Sequence, residues 1–418
     1  VIPITSIIFA RAILPLMVLL ISSGNIGELK PQFLAKSGQF MLGNEALLEL
    51  SDSPIRGKRI GLITNNSGVL SDGRLFMDVI SEHHDLKKIF TPEHGLRGNE
   101  RNENYTDEET GAYVVSLFGN KEKPTAEDLS DIDVLVYDLQ DVSARFYTFV
   151  NTLYYCMEAA SENNLKIVVC DRPIIPDGNY VDGYVLEESY KSFVGLLRLP
   201  AAYAMTCGEL ANFINSEYFD NRCDVIVSKM KNYSRSINYD DLGLYWKTPS
   251  PNMYFPSTAV AYLGTCLFEG TNFGEGRGSN KPFEYVGAPY CDGELIAVKL
   301  NSMNLDGVEF ESINFTPQQI MSWQSKPKYA GEMCSGVYLK VTDRQKAEPY
   351  KAVVAMLVLL NKEFPGFEIN NNNFIDKLAG TDRLRYMINS GKSYEEIIGS
   401  YQEELREFKV KRKKYLMY

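Results

Sequence analysis

Leu86-Lys87-Lys88-Ile89-Phe90-Thr91-Pro92-Glu93-His94-Gly95-Leu96-Arg97-Gly98 decides how the rest of the chain is read. Leu86 to Phe90 has the apolar and lysine mix of a short strand. The residues after it set a carboxylate, an imidazole and a guanidinium beside two glycines. Glu93 would therefore emerge just past a strand's carboxyl end, the edge where ligands bind in open α/β sheets. Working outward, Arg59–Thr64, Val134–Asp138 and Lys166–Cys170 read as further short apolar strands, each running into a polar loop. Those loops are Asn65-Asn66-Ser67-Gly68, Gln140-Asp141 and Asp171-Arg172-Pro173, and all are expected to gather at one sheet edge with the Glu93 loop. Phe149, Leu153, Met157 and Ala160 recur at helical spacing, so Thr148–Asn163 is expected to be a crossover helix. The fold class expected is α/β: a Rossmann-like doubly wound sheet domain followed by a smaller α+β carboxyl-terminal domain.

At 418 residues the chain can bury a sizeable core and favours more than one domain. Hydrophobic residues at 44% and charged residues at 23% place it with ordinary globular proteins. A formal net charge of −11 argues against a general nucleic-acid binder. Ile7 to Ile21 is almost wholly apolar and is followed by Ser22-Ser23-Gly24, the pattern of a secretory signal. Its core, Ala12 to Ile21, falls short of the about 20 residues that span a bilayer. Residues 1–24 are accordingly expected to be a signal peptide and 25–56 a linker or amino-terminal extension. The Rossmann-like catalytic domain is expected at 57–250 and the auxiliary domain at 251–418, with export to a periplasmic or extracellular location. Seven scattered cysteines, with no C-x-x-C pair, show neither a zinc nor a disulfide framework.

Two prolines in Thr248-Pro249-Ser250-Pro251-Asn252 break regular structure and mark the domain boundary. Beyond it, Glu269 to Gly278 is too irregular for a helix or long strand. Val337–Val341 reads as a strand, and Ala352–Leu360, Lys377–Ile388 and Tyr394–Phe408 as helices.

Three constellations could carry chemistry. Glu93, with His94 and Arg97 beside it, is the leading candidate for a general acid, competing with a plain surface-turn carboxylate. Asp138, Gln140, Asp141, Arg145 and Tyr147 offer planar polar groups suited to sugar hydroxyls. A structural Asp–Arg pair or a helix cap serves equally well for Asp141, and Asp171 with Arg172 carries the same ambiguity. Gly274-Glu275-Gly276-Arg277-Gly278 lacks the lysine and hydroxyl of a phosphate loop, and no dinucleotide fingerprint follows a strand, so no cofactor is expected. A metal held by Glu93, His94, Asp138 and Asp171 finds no support in ligand spacing.

Gly61-Leu62-Ile63-Thr64-Asn65, Thr91 to Gly98, Tyr137 to Val142, Arg145-Phe146-Tyr147-Thr148, Met157-Glu158-Ala159-Ala160, Asp171-Arg172-Pro173, Pro249-Ser250-Pro251-Asn252-Met253 and Phe268-Glu269-Gly270-Thr271-Asn272 stand in an order that resembles the exo-β-N-acetylmuramidase NamZ family, formerly a domain of unknown function. The likeness runs from about Gly57 to Tyr418. It implies an exo-acting glycosidase that releases N-acetylmuramic acid from the non-reducing ends of peptidoglycan fragments such as MurNAc-GlcNAc. Its catalytic glutamate would correspond to Glu93. The chain departs from the family pattern in two places. Tyr203-Ala204-Met205-Thr206 stands where many members have His-Gly-Met-Thr, and Ile174-Ile175 follows Asp171-Arg172-Pro173 in place of Asn-Pro. Both departures are expected to take polar groups out of the cleft.

On this resemblance Glu93 would protonate the glycosidic oxygen, with His94 assisting. Asp138 or Asp141 would stabilise the oxocarbenium-like charge, with Glu269 and Glu275 behind them. Retention, inversion and participation by the substrate's acetamido group all stay open, since carboxyl separation decides the first two. Asn65, Arg97, Gln140, Arg145, Tyr147, Asp171, Arg172, Asn252, Glu269, Asn272, Glu275 and Arg277 are the expected substrate contacts. A lactyl carboxylate needs a cationic partner, and Arg97, Arg145, Arg172 and Arg277 are the candidates. The rival classes are a non-catalytic muropeptide-binding protein and a metal-dependent hydrolase.

Overall fold

Ile60 and Leu62 point to one side of their strand and Ile63 to the other, and all three are fully buried. The same alternation holds for Val134 and Val136 against Leu135 and Tyr137, and for Val168 and Cys170 against Ile167 and Val169. Strands buried on both faces require a covering layer on each side of the sheet. The computed structural model describes residues 40–98, 101–320 and 326–418, which lie in the compact unit Ala35–Tyr418. The apolar stretch Ile7–Ile21 is outside the described residues.

The strands are β1 (Arg59–Thr64), β2 (Asp85–Thr91), β3 (Tyr105–Thr106), β4 (Tyr113–Ser116), β5 (Val134–Asp138), β6 (Lys166–Cys170), β7 (Asp182–Val185), β8 (Pro200–Ala202), β9 (Asp224–Ser228), β10 (Tyr285–Ala288), β11 (Val308–Phe315) and β12 (Cys334–Val341). Seven of them form one sheet in the order β3-β4-β2-β1-β5-β6-β9, parallel except for the β3–β4 pair. The four strands expected from sequence form its centre. Two further parallel members, β4 and β9, escaped the reading of the sequence. Pairings of Thr64 with Asp138, Thr91 with Ser116 and Cys170 with Ser228 align the carboxyl ends, so the loops after them gather along one edge.

Helices Gly43–Glu49 and Phe76–His83 cover the smaller apolar face, and Phe149–Glu162 with Cys207–Tyr218 covers the other. The crossover helix lies where its spacing placed it, with Thr148 and Asn163 as its caps. Gly43–Glu49 falls in the stretch expected to be an extension, yet it belongs to the sheet layer. Gly43 N–H donates to the Asp171 carbonyl, and a Cβ there would lie 2.2 Å from the Asp171 nitrogen.

The carboxyl-terminal half holds a three-stranded antiparallel sheet, β10-β12-β11, with helices Pro256–Thr265, Gly293–Asn301 and Pro349–Glu363. Its apolar core is continuous with one face of the large sheet, since a single cluster joins Ile63 and Phe149 to Val286, Val353 and Ile397. Two expected helices are each broken. Lys377–Ile388 is divided between Phe374–Ala379 and Arg383–Asn389, because Gly380 adopts φ 82° and packs flat against the Arg145 guanidinium. Tyr394–Phe408 is divided into Tyr394–Gly399 and Gln402–Arg412, with the ring of Tyr401 buried at the break and its hydroxyl 3.1 Å from Asp182. All seven cysteines are free thiols, six of them buried and Cys291 half-buried.

Candidate active site

The order of the parallel strands turns at β1 and β5, which places a crevice between their loops. The chain fills that crevice with its own groups. Asn65 Nδ2 donates to the Pro249 carbonyl at 3.0 Å, and Asn66 Nδ2 to that of Thr248 at 2.8 Å. Gln140 Nε2 donates to the Pro173 carbonyl at 2.9 Å, and its backbone N–H donates to the Ser67 hydroxyl oxygen at 3.1 Å. Asp138, wholly buried, is held by Arg172 through Nε at 2.7 Å and Nη2 at 2.8 Å, and by Asn44 at 3.1 Å.

The open space lies beside this plug, toward β2 and β4, as a cavity of about 500 Å3. That volume suits a small-molecule site (about 300–1,000 Å3). Glu93 and His94 reach it from the β2 loop, Phe118 from the β4 loop, and Tyr147 with Thr148 from the start of helix Phe149–Glu162. Ser250, Asn252, Tyr262, Glu269, Arg277 and Phe283 line it as well, and Phe374 and Lys377 come from a short helix near the carboxyl terminus.

Glu93 is half-buried, and the Thr148 hydroxyl donates to its Oε2 at 2.9 Å. The β2 strand ends at Thr91, Pro92 cannot extend the ladder, and His94 and Gly95 then take left-handed φ of 77° and 71°, turning the chain sharply. A histidine in that region carries backbone strain, a feature that clusters at functional sites. Behind Thr148 stands an aromatic wall. Tyr147 packs on Phe149 at 4.7 Å between ring centroids and on Tyr262 at 5.9 Å, and Tyr262 meets Phe283 at 4.7 Å. Burial raises the Tyr147 hydroxyl far above its ordinary pKa, so it stays protonated.

Beside the Phe283 ring, 5.0 Å away, Arg277 Nη2 binds Glu269 at 2.6 Å and its Nε lies 3.5 Å from Glu275. Lys328 Nζ reaches Glu275 at 3.0 Å. Burial raises the Glu269 carboxyl more than Arg277 lowers it. For Glu275 burial is outweighed by Lys328 and Arg277, which hold the carboxyl below its ordinary value. Burial also opposes the charge on Arg277, but Glu269 and Glu275 more than offset it. Arg277 is thus committed to protein carboxylates.

Of the residues expected to form the site, Glu93, His94, Tyr147, Asn252, Glu269 and Arg277 line this cavity. Glu275 stands one layer behind through Arg277 and Lys328. The others are placed elsewhere for identifiable reasons. Asp138 and Arg172 satisfy each other, and Asn65 and Gln140 close the crevice. Asp141 accepts from Tyr203 at 2.8 Å and from Ser143 N–H, and burial raises its carboxyl to about 6. Asp171 accepts from Gly208 N–H and the Tyr418 hydroxyl, and burial likewise takes it to about 6. Arg97 forks onto Asp107 at 3.1 and 2.9 Å. Arg145 is buried among the carbonyls of Tyr184, Leu199 and Leu378, and burial lowers its pKa to about 10. Asn272 bridges the Gly366 carbonyl and Tyr290. With Asp138 and Asp171 so engaged, the four-residue metal set considered from sequence does not assemble.

The two departures from the family pattern also sit outside the cavity. Tyr203, Ala204, Ile174 and Ile175 are core residues. Ala204 stands at φ 49°, a conformation that favours glycine. Phe118, Thr148, Phe193, Phe283, Gln318 and Lys377 line the cavity and were not singled out from the sequence. Thr148 alone had a signal, as the last residue of the Arg145-Phe146-Tyr147-Thr148 motif.

The family model for the amino-terminal part of exo-β-N-acetylmuramidase NamZ matches residues 60–257, and that for the carboxyl-terminal part matches 260–418. The chain belongs to the NamZ family. It is 42% identical over 391 residues to the peptidoglycan β-N-acetylmuramidase NamZ of Bacillus subtilis (strain 168), covering 92% of each chain. Crystal structures of two DUF1343 family proteins of Bacteroides fragilis NCTC 9343 superpose with TM-scores of 0.83 and 0.73. Both are 31% identical, and each comparison covers 91% of this chain and 99% of the other. The likeness spans both halves of the chain, and both halves contribute to the cavity.

Proposed function

We propose that this protein is an exo-acting glycosidase that releases N-acetylmuramic acid from the non-reducing ends of peptidoglycan fragments, with Glu93 as the general acid. Full-length similarity to a peptidoglycan β-N-acetylmuramidase supports the reaction class. The observation that carries the assignment of Glu93 is its position, on a strained loop at a strand's carboxyl end, with a fixed Thr148 donor and an open cavity before it.

A general acid must deliver its proton to the glycosidic oxygen as the bond breaks. Held by Thr148 through one oxygen, Glu93 keeps the other for the leaving group. Positive charge developing on the sugar ring would face Glu269, which replaces Asp138 and Asp141 as the second carboxylate because it lines the same cavity. Arg277 orients Glu269 and Glu275 in turn. Tyr147, Tyr262 and Phe283 supply the apolar faces that sugar rings pack against.

Release of N-acetylmuramic acid from MurNAc-GlcNAc, followed for wild type and Glu93→Gln with and without EDTA, tests this. The wild type should be active in chelator, and the variant should lose about 100-fold or more in kcat with its fold intact. Undiminished turnover by Glu93→Gln would remove Glu93 from the mechanism, and loss of wild-type activity in EDTA would favour metal-dependent chemistry.

A further inference from the structure

The four arginines that could meet the lactyl carboxylate are all engaged within the protein: Arg97 by Asp107, Arg172 by Asp138, Arg145 by backbone carbonyls and Arg277 by two glutamates. An arginine already paired with two carboxylates offers little net attraction to a third anion. Among the described residues one lysine lines the cavity, Lys377, and it forms no ion pair. It is exposed to the cavity and carried by helix Phe374–Ala379, whose Phe374 lines the same wall. The neighbouring Asp376 is bound to Arg385 at 2.7 Å and turned away from it.

We propose that the Lys377 ammonium binds the carboxylate on the 3-O-lactyl group of the terminal sugar, and so selects muramic acid over sugars lacking that anion. The assignment rests on the muramidase reading above. The helix supporting Lys377 is itself fixed from the sheet domain, since Arg145 donates to the Leu378 carbonyl. The cation is therefore anchored relative to Glu93, and the sugar it holds would present its glycosidic bond in a constant place. Lys377 contacts the substrate in the ground state and the transition state alike, so its removal should raise KM and leave kcat little changed.

The test pairs Lys377→Ala, Lys377→Glu and Lys377→Arg with two substrates, a chromogenic muramide and the same compound with its lactyl carboxylate converted to a primary amide. Lys377 is exposed, so all three variants should fold. On the acid, Lys377→Ala should raise KM about tenfold or more, as expected for losing a hydrogen bond to a charged group. Lys377→Glu should raise it further and Lys377→Arg should retain most of the binding. On the amide, wild type should show a similar rise, and Lys377→Ala should add nothing to it, since one interaction is lost either way. Equal acid-to-amide ratios in wild type and Lys377→Ala overturn the proposal. If the wild type does not hydrolyse the muramide, the muramidase reading fails by itself. Calorimetric binding of free N-acetylmuramic acid and its lactyl amide then decides the role of the lysine, and no binding, or no preference lost in Lys377→Ala, overturns it.

Discussion

Asp138→Asn should unfold the protein more readily without impairing its chemistry. Asp138 is wholly buried and Arg172 nearly so, and three donors converge on the carboxylate at 2.7, 2.8 and 3.1 Å. An asparagine keeps the shape but turns an amide N–H₂ toward a guanidinium or toward Asn44 Nδ2, leaving the Arg172 charge uncompensated in the interior. Breaking a buried pair from one side costs about 3–5 kcal/mol. With a slope of about 3 kcal/mol per molar urea, the unfolding midpoint should fall by about 1 M or more. Replacing both partners with leucine should recover much of that loss, because no buried charge is then left unpaired. Urea unfolding followed by tryptophan and tyrosine fluorescence reads the first quantity, and kcat measured well below the midpoint reads the second. Asp138 does not line the cavity, so kcat per folded molecule should stay within about threefold of wild type, against the large loss expected from Glu93→Gln. An unchanged midpoint with a 100-fold fall in kcat would show that Asp138 takes part in the reaction.

Two further predictions concern positioning and pH. Thr148→Val removes the donor that fixes Glu93 and should lower kcat about tenfold with KM little changed, while Thr148→Ser restores it; equal kcat in wild type and Thr148→Val would deny the positioning role. Asp171 and Asp141 each have a folded pKa raised from 3.8 to about 6 by burial. Between those values the unfolded chain has released its protons while the folded protein retains them, so stability should fall as pH rises from about 4 to about 6, each group contributing up to about 3 kcal/mol. Asp171→Asn, which imitates the protonated form, should remove about half of that slope in urea midpoints taken across the window; an identical slope would refute the assignment.

The strands of the large sheet were legible because burial on both faces leaves short apolar runs with polar ends. Strand β4 is only four residues long and opens on exposed Tyr113, and edge strand β9 is mostly half-buried, so both were harder to read. Glu93, Tyr147, Glu269 and Arg277 could be recognised because loops that present charged and aromatic groups together have a local signature. The four other strand-end polar residues, Asp138, Gln140, Asp171 and Arg172, carry the same signature, yet they are engaged within the protein. Their partners are remote in sequence: Asn44 lies 94 residues from Asp138, and Tyr418 lies 247 from Asp171. No local pattern distinguishes a carboxylate awaiting substrate from one already bound to a distant donor. Lys377 was hidden for a related reason. A continuous helix over Lys377–Ile388 would have made it one surface lysine among many, and only the break at Gly380 creates the short segment that faces the cavity.

The Arg145 guanidinium begins on the segment that carries Tyr147 and Thr148 and ends on the carbonyl of Leu378, beside Lys377. Gly380 allows this, since a Cβ there would stand 2.8 Å from Arg145 Nη2. One side chain thus fastens together cavity walls that are 233 residues apart in the chain. Exchanging halves between relatives would succeed as a modular recombination only when arginine and glycine are inherited as a matched set. The two positions that join the halves must change in concert or not at all.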